Sequence, residues 1–223
     1  AAKLRAISKG LGLARDWDVL ITGTLPPMAA IPGIAKLAAA CAPVHQDARR
    51  EAKNIIKTNA YTITMLTIGR WLLTPQSIAA ASWQLPARQL AAQILLARHA
   101  RVIKRGRHLA RQSPAQLHRL RIAVKKLRYA VEFFNDLFQV KAMAVQRARL
   151  EKLQDILGCI NDAVTLESLF VVASRNARRW PAAAADAVMR QHQQLALQQR
   201  KRLASAWRRY RAAAQPWTKS QGR

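Results

Sequence analysis

Apolar residues recur along this chain at intervals of three and four, and the strict alternation of a β-strand is nearly absent. The pattern is interrupted at Gly23 to Pro27, Pro43, Pro75, Pro86, Ser113-Pro114 and Trp180-Pro181, where glycine, proline and capping residues cluster. Between these points the spacing predicts helices at about 3–14, 17–22, 34–41, 44–72, 87–110, 114–138, 141–157, 162–178 and 181–213. Residues 216–223 lose the period and read as a loose tail. Several of the predicted helices are long, so the expected fold class is all-α, built from antiparallel helical bundles.

The pattern also repeats. Leu4, Ile7, Leu11-Gly12, Asp16 and Leu20 match Leu150, Leu153, Leu157-Gly158, Asp162 and Leu166 at a constant offset of 146. In each copy the glycine is expected to stop one helix and the aspartate to cap the next through its free amide N–H groups. The predicted organisation is a first helical repeat at 1–85, a second at 86–213, and the tail at 214–223.

Composition adds a core and a charge. The chain is 51% hydrophobic, enough to bury a real interior, so wholesale disorder is excluded. Against 38 Lys+Arg stand only 11 Asp+Glu, a formal net charge of +27. Self-repulsion on that scale calls for a polyanion: nucleic acid, an anionic membrane or a polymeric phosphate. A small neutral metabolite as the sole ligand is excluded. Two cysteines, Cys41 and Cys159, make no disulfide framework and read as buried thiols in a reducing compartment. No run of 18 apolar residues occurs and no signal-peptide pattern opens the chain. No membrane partner and a cytoplasmic setting are therefore expected.

The densest chemistry lies at 117–129. On a helix turning about 100° per residue, His118, Arg121, Lys125, Arg128 and Glu132 share one face. Leu120, Val124, Leu127, Val131 and Phe134 form an apolar face on one flank, and Ile122, Tyr129 and Phe133 a third stripe on the other. A basic row bracketed by apolar residues is expected to line a groove, and buried cations without partners cost several kcal/mol each, so the groove needs an anion. A second stripe, Arg98, Arg101, Arg105 and His108 with Lys104 beside it, precedes the first; Leu95, Val102 and His99 lie opposite it as core. Arg49, Lys53 and Lys57 make a weaker row, and the cluster from Arg200 to Arg211 reads mostly as surface. Cations three or four positions apart stand about 5–6 Å from one another, a ladder suited to successive phosphates. Arginine predominates, and its planar fork takes phosphoryl oxygens two at a time.

Other chemistries lack their parts. No helix-turn-helix, zinc-finger spacing or aromatic platform supports base readout. The carboxylates are scattered, with no pair or triad spaced to hold a metal against phosphates, and no Walker loop or nucleophile elbow occurs. Catalytic residues, metal ligands and cofactors are accordingly expected to be none.

These residues carry a resemblance. The run from Leu117 to Tyr129 with Glu132 resembles the signature of the CHAD (conserved histidine α-helical) domain, His-x-x-Arg-(Val/Ile)-x-x-(Lys/Arg)-(Lys/Arg)-Leu-Arg-Tyr-x-x-Glu. His118, Arg121, Ile122, Lys125, Lys126, Leu127, Arg128, Tyr129 and Glu132 all fit it. Leu11 to Leu20 resembles the family's Leu-Gly-x-x-Arg-Asp-x-Asp-Val-Leu turn, and Leu157 to Leu166 a degraded second copy with Asn161 in the place of Arg15. The resemblance covers 1–213 and implies two pseudo-symmetric helical bundles around a basic central cavity that binds inorganic polyphosphate, alone on polyphosphate granules or behind a triphosphatase domain. The family carries the His/Arg helix twice, so the first repeat is expected to lack its N-terminal helices here. The expected polyphosphate-binding residues are Arg98, Arg101, Lys104, Arg105, His118, Arg121, Lys125, Lys126 and Arg128, with Arg15, Arg49 and Lys53 secondary. Two alternatives stay open: a sequence-independent nucleic-acid binder, for which DNA would otherwise be only a non-specific competitor, and an accessory domain of a triphosphatase. The oligomeric state is left open.

Overall fold

The structure is a computed structural model describing residues 2–74 and 85–218. Its regular elements among these residues are all helical. In chain order they are α1 (Ala2–Asp18), a wide π-type turn (Val19–Thr24), a 3-10 turn (Pro26–Met28), α2 (Ile34–Lys57), α3 (Asn59–Leu73), α4 (Ala87–Arg105), α5 (Pro114–Phe133), α6 (Val140–Asn176) and α7 (Ala182–Ala212), with short 3-10 turns at Leu109–Arg111, Asn135–Leu137 and Pro216–Thr218. The all-α expectation stands.

Several expected breaks are not there. Gly12 lies inside α1 and Gly158 inside α6, so neither stops a helix, and Asp16 and Asp162 sit within helices rather than at N-caps. A glycine in a helix interior costs only about 1 kcal/mol relative to alanine, less than breaking a run whose leucines are packed. Leu150, Leu153 and Leu157 are such a run, each almost fully buried. Pro43 likewise lies within α2 and is itself exposed. There the buried stripe Leu37, Cys41, His45 and Ala48, one face of the helix, outweighs the lost backbone bond. The break between α2 and α3 falls instead at Thr58. Its backbone is extended (φ −75°, ψ 145°), and its hydroxyl accepts from the Tyr61 N–H at 3.1 Å and donates to the Ile55 carbonyl at 2.7 Å.

Packing divides the chain into two compact units, 1–78 with 164–191 and 79–163 with 192–223. The repeat expectation assigns 164–191 to the second copy; by packing these residues join the N-terminal elements. The core of the first unit gathers Trp17, Leu20, Leu37, Cys41, Leu166, Phe170 and Val188 among others. That of the second gathers Leu95, Val102, Leu120, Val124, Leu127, Leu153, Trp207, Tyr210 and Trp217. The two sequence copies are buried unequally: Leu4 and Leu11 are exposed, whereas Leu150 and Leu157 are core.

Two further expectations need correcting. The stretch 214–218 is not loose: it forms a 3-10 turn that sets Trp217 into the core at 1% exposure, 6.1 Å from the His99 ring. Residues 219–223 lie outside the described residues. And α6 is, by length and hydropathy, apolar enough to cross a membrane, although no unbroken run of 18 apolar residues occurs. Its apolarity has an internal use, since Leu150, Leu153, Ile156 and Ile160 feed the second unit's core and Leu166, Leu169 and Phe170 the first's.

Candidate anion-binding site

The densest cationic geometry is built by a helical hairpin in the second unit. α4 ends at Arg105, and Gly106, a position where a Cβ would run into the Trp207 ring, lets α7 pack closely against the turn. His108 adopts the left-handed conformation (φ 53°, ψ 40°) and turns the chain. The Gln112 amide donates to the Arg105 and Arg107 carbonyls at 2.5 and 2.8 Å, pinning the end of α4. Ser113 then opens α5 with a capping box: its hydroxyl accepts from the Gln116 N–H and its N–H donates to the Gln116 side chain at 2.7 Å. Pro114 at the first helical position costs no backbone bond.

Leu95 and Val102 of α4 and Leu117, Leu120, Val124 and Leu127 of α5 are buried in one core. Packed in this way, the hairpin aligns Arg98, Arg101 and Arg105 of α4 with Arg119, Ile122, Ala123 and Lys126 of α5 around a cavity of about 130 Å³. The lining holds five cations and no carboxylate. Arg98 is half-buried, and its Nε is shut off from solvent without a hydrogen-bond partner. Such a donor costs about 1–3 kcal/mol and is satisfied most cheaply by an oxygen ligand.

The structure thereby divides the expected set. Arg98, Arg101, Arg105 and Lys126 come together; Lys104 is exposed outside the cavity; and His118, Arg121, Lys125 and Arg128 lie on another face of α5. That face meets α6. His118 Nδ1 shares a 2.5 Å hydrogen bond with Asn161 Oδ1, which holds the ring against α6. Arg128 Nε donates to the Gln154 side chain at 2.9 Å, and its guanidinium pairs with Glu132 and lies 4.7 Å from the Tyr129 ring centroid. Lys125 stands 5.6 Å from the same ring centroid. The Arg121 Nε is buried without a partner, 4.0 Å from where a side chain at Gly158 would begin. Gln154, Gly158 and Asn161 are one face of α6, so the residue that replaces arginine in the second motif copy serves to orient His118. One expectation fails here: Ile122, Tyr129 and Phe133 do not pack as a flanking wall, being 39%, 49% and 82% exposed. The basic row is enclosed on one side only.

In the first unit Arg15 and Lys53 are exposed, and Arg49 lies 3.8 Å from Asp18. The constellation there is one that sequence reasoning missed. His45, buried on α2, shares a 2.6 Å hydrogen bond with the Asp18 carboxylate. The available signal was the spacing of His45, Arg49 and Lys53, four apart on one face, opposite the second aspartate of Arg-Asp-x-Asp. Arg119 was missed for a similar reason, lying outside the row that begins at His118; its own row with Ile122 and Lys126 is equally regular. The cluster read as surface also has structure. Arg200 donates to the Gln112 carbonyl at 2.8 Å, and Arg202 and Arg209 line a second cavity with Arg149 and Lys152.

The thiols are inert by environment. Burial pushes Cys41 up to about 11, and Cys159 is raised by burial and by the neighbouring Asp162 carboxylate. His99, between the rings of Tyr210 and Trp217, is held below the usual histidine value by desolvation, as a core histidine is. Among the described residues no group of three or more His, Cys, Asp or Glu side chains is placed to hold a metal.

Residues 1–171 match the family model described as the CHAD domain. The fold is similar to the crystal structure of the CHAD domain from the plant Ricinus communis, with a TM-score of 0.77 and 31% sequence identity, over 96% of this chain and 72% of that one. No curated protein matches the chain. A family model spanning most of the sequence, the helix that presents His118 and Arg121 included, makes this chain a member of the CHAD domain family.

Proposed function

We propose that this chain binds inorganic polyphosphate without transforming it, threading the chain along the groove between α4 and α5. The observation that carries the reading is the five-cation, carboxylate-free lining of that groove. A cavity of about 130 Å³ suits phosphate units taken one or two at a time and is far too narrow for a nucleic-acid duplex, about 20 Å across. Arg98, Arg101, Arg105, Arg119 and Lys126 are the primary contacts. Lys104 and the row of His118, Arg121, Lys125 and Arg128 beside α6 extend them, and Arg15, Arg49 and Lys53 are secondary candidates. The reading includes a cytoplasmic setting on polyphosphate granules, no membrane partner and no catalysis of its own, also where the chain accompanies a triphosphatase.

The second reading is sequence-independent nucleic-acid binding, favoured by the net charge of +27. Competition at about 0.15 M salt separates the two, because there the Debye length is only about 8 Å and diffuse attraction is largely screened. Long-chain polyphosphate is expected to displace duplex DNA at least about tenfold more effectively than DNA displaces it; equal displacement overturns the proposal in favour of nucleic acid.

A further inference from the structure

The cleft between α6 and α7 differs from the groove just described in size and in floor. Arg149, Lys152 and Ile156 follow one another along one face of α6, and Arg202, Ala206 and Arg209 along one face of α7. Between them they enclose a cavity of about 440 Å³, more than three times the volume of the α4–α5 groove and within the range of about 300–1,000 Å³ typical of small-molecule sites. Four cations line it and no carboxylate does. None of the four has an ion pair or a side-chain hydrogen bond among the described residues; the nearby Glu151 is turned to Arg147 at 3.8 Å. The floor is apolar: Val145, half exposed, and the short side chains of Ala148 and Ala206 supply its surface, with Ile156 almost fully buried beneath them.

We infer that this cleft is a second anion site, and that its ligand is a nucleoside triphosphate. Bare phosphate chains have no use for an apolar floor, and an acyl chain needs a depth that short side chains on two helices do not provide. A flat base does fit: it can lie on Val145 and the alanines and stack beneath a guanidinium plane, while a triphosphate of about four negative charges meets four cations. The α4–α5 groove lacks the room for a base, so the two sites separate their ligands by size. The inference stands independently of polyphosphate binding.

The test is calorimetric titration of the whole chain with ATP, inorganic tripolyphosphate and adenosine at about 0.15 M salt without added metal. ATP is expected to bind at least about tenfold more tightly than tripolyphosphate, because only ATP uses the apolar floor. Arg149→Glu with Arg209→Glu is expected to weaken ATP at least about tenfold while changing long-chain polyphosphate affinity by less than about threefold. Ala148→Trp, at an exposed position on the cleft wall, fills the base site without altering charge and is expected to bring ATP down to the affinity of tripolyphosphate. Arg101→Glu with Lys126→Glu, in the other groove, is expected to leave ATP binding intact. Equal wild-type affinity for ATP and tripolyphosphate, or ATP binding unchanged in Ala148→Trp or in Arg149→Glu/Arg209→Glu, overturns the inference.

Discussion

Charge reversal in the α4–α5 groove separates a built site from a diffusely basic surface. Arg101→Glu with Lys126→Glu replaces two of the five lining cations, one from each helix, and turns them against a bound phosphate chain. Each charge-assisted hydrogen bond is worth about 1.5–3 kcal/mol. Both side chains are exposed, so the lower end applies, and two lost bonds come to about 3 kcal/mol, or roughly a hundredfold or more in affinity at 1.4 kcal/mol per decade. Arg208→Glu with Arg211→Glu makes the same change in net charge at two exposed positions of α7 that line neither cavity. Acting only through screened long-range attraction, with no direct phosphate contact to lose, this control is expected to lose less than about tenfold at ~0.15 M salt, where the Debye length is about 8 Å. Affinity for long-chain polyphosphate is read by fluorescence anisotropy, with circular dichroism showing that both variants keep their helical content. Equal losses in two folded variants refute the groove and leave only the +27 surface. Arg209, which from sequence alone looks like an equally good control position, is unsuitable because it lines the α6–α7 cleft.

Three further outcomes follow from the packing and the charges. Gly106→Ala places a methyl group in the buried Trp207 ring, and is expected to cost about 1–3 kcal/mol in urea denaturation; an unchanged midpoint would show that the turn and α7 are not in close contact. The Cys41 thiol, raised by burial to about 11 from its ordinary value of 9.0, binds its proton more tightly folded than unfolded. Its contribution to stability is therefore complete below pH 9 and falls as pH rises toward 11, and a Cys41→Ala variant should show a shallower decline over that window. Incubation with Mg²⁺ or Mn²⁺ should release no phosphate from polyphosphate or tripolyphosphate; reproducible turnover above a blank would make the chain an enzyme.

What could be read in the sequence was local. The periods of three and four located the helical segments, Ser113-Pro114 marked the start of α5, and the His118 motif pointed to the family. Helix continuity was harder, because whether Gly12, Pro43 or Gly158 ends a helix depends on how much packed surface would be lost, and that surface belongs to other segments. The same limit governs the site. A helical wheel shows which residues of α5 share a face, but not that α4 meets the face of Arg119 and Lys126 while α6 meets that of His118 and Arg128. Ile122, Tyr129 and Phe133 looked like a packed wall because an isolated stripe of apolar residues carries no record of what, if anything, covers it. Arg149 and Lys152 went unnoticed because they become a cluster only where α7 brings Arg202 and Arg209 beside them.

The connection between α4 and α5 acts as a gear setting for the groove. Helix faces are fixed relative to one another by the number of residues between them, and one residue more or fewer rotates everything downstream by about 100°. With His108 left-handed and Gln112 bonded at once to the end of α4 and, through its carbonyl, to Arg200 of α7, this turn has little freedom to absorb such a change. A single-residue insertion anywhere from 106 to 112 would leave every cation in the chain, and its net charge, untouched. Yet it would swing Arg119 and Lys126 away from Arg98 and Arg101. The length of this one short turn therefore bears on the groove as directly as the identity of the basic residues that line it.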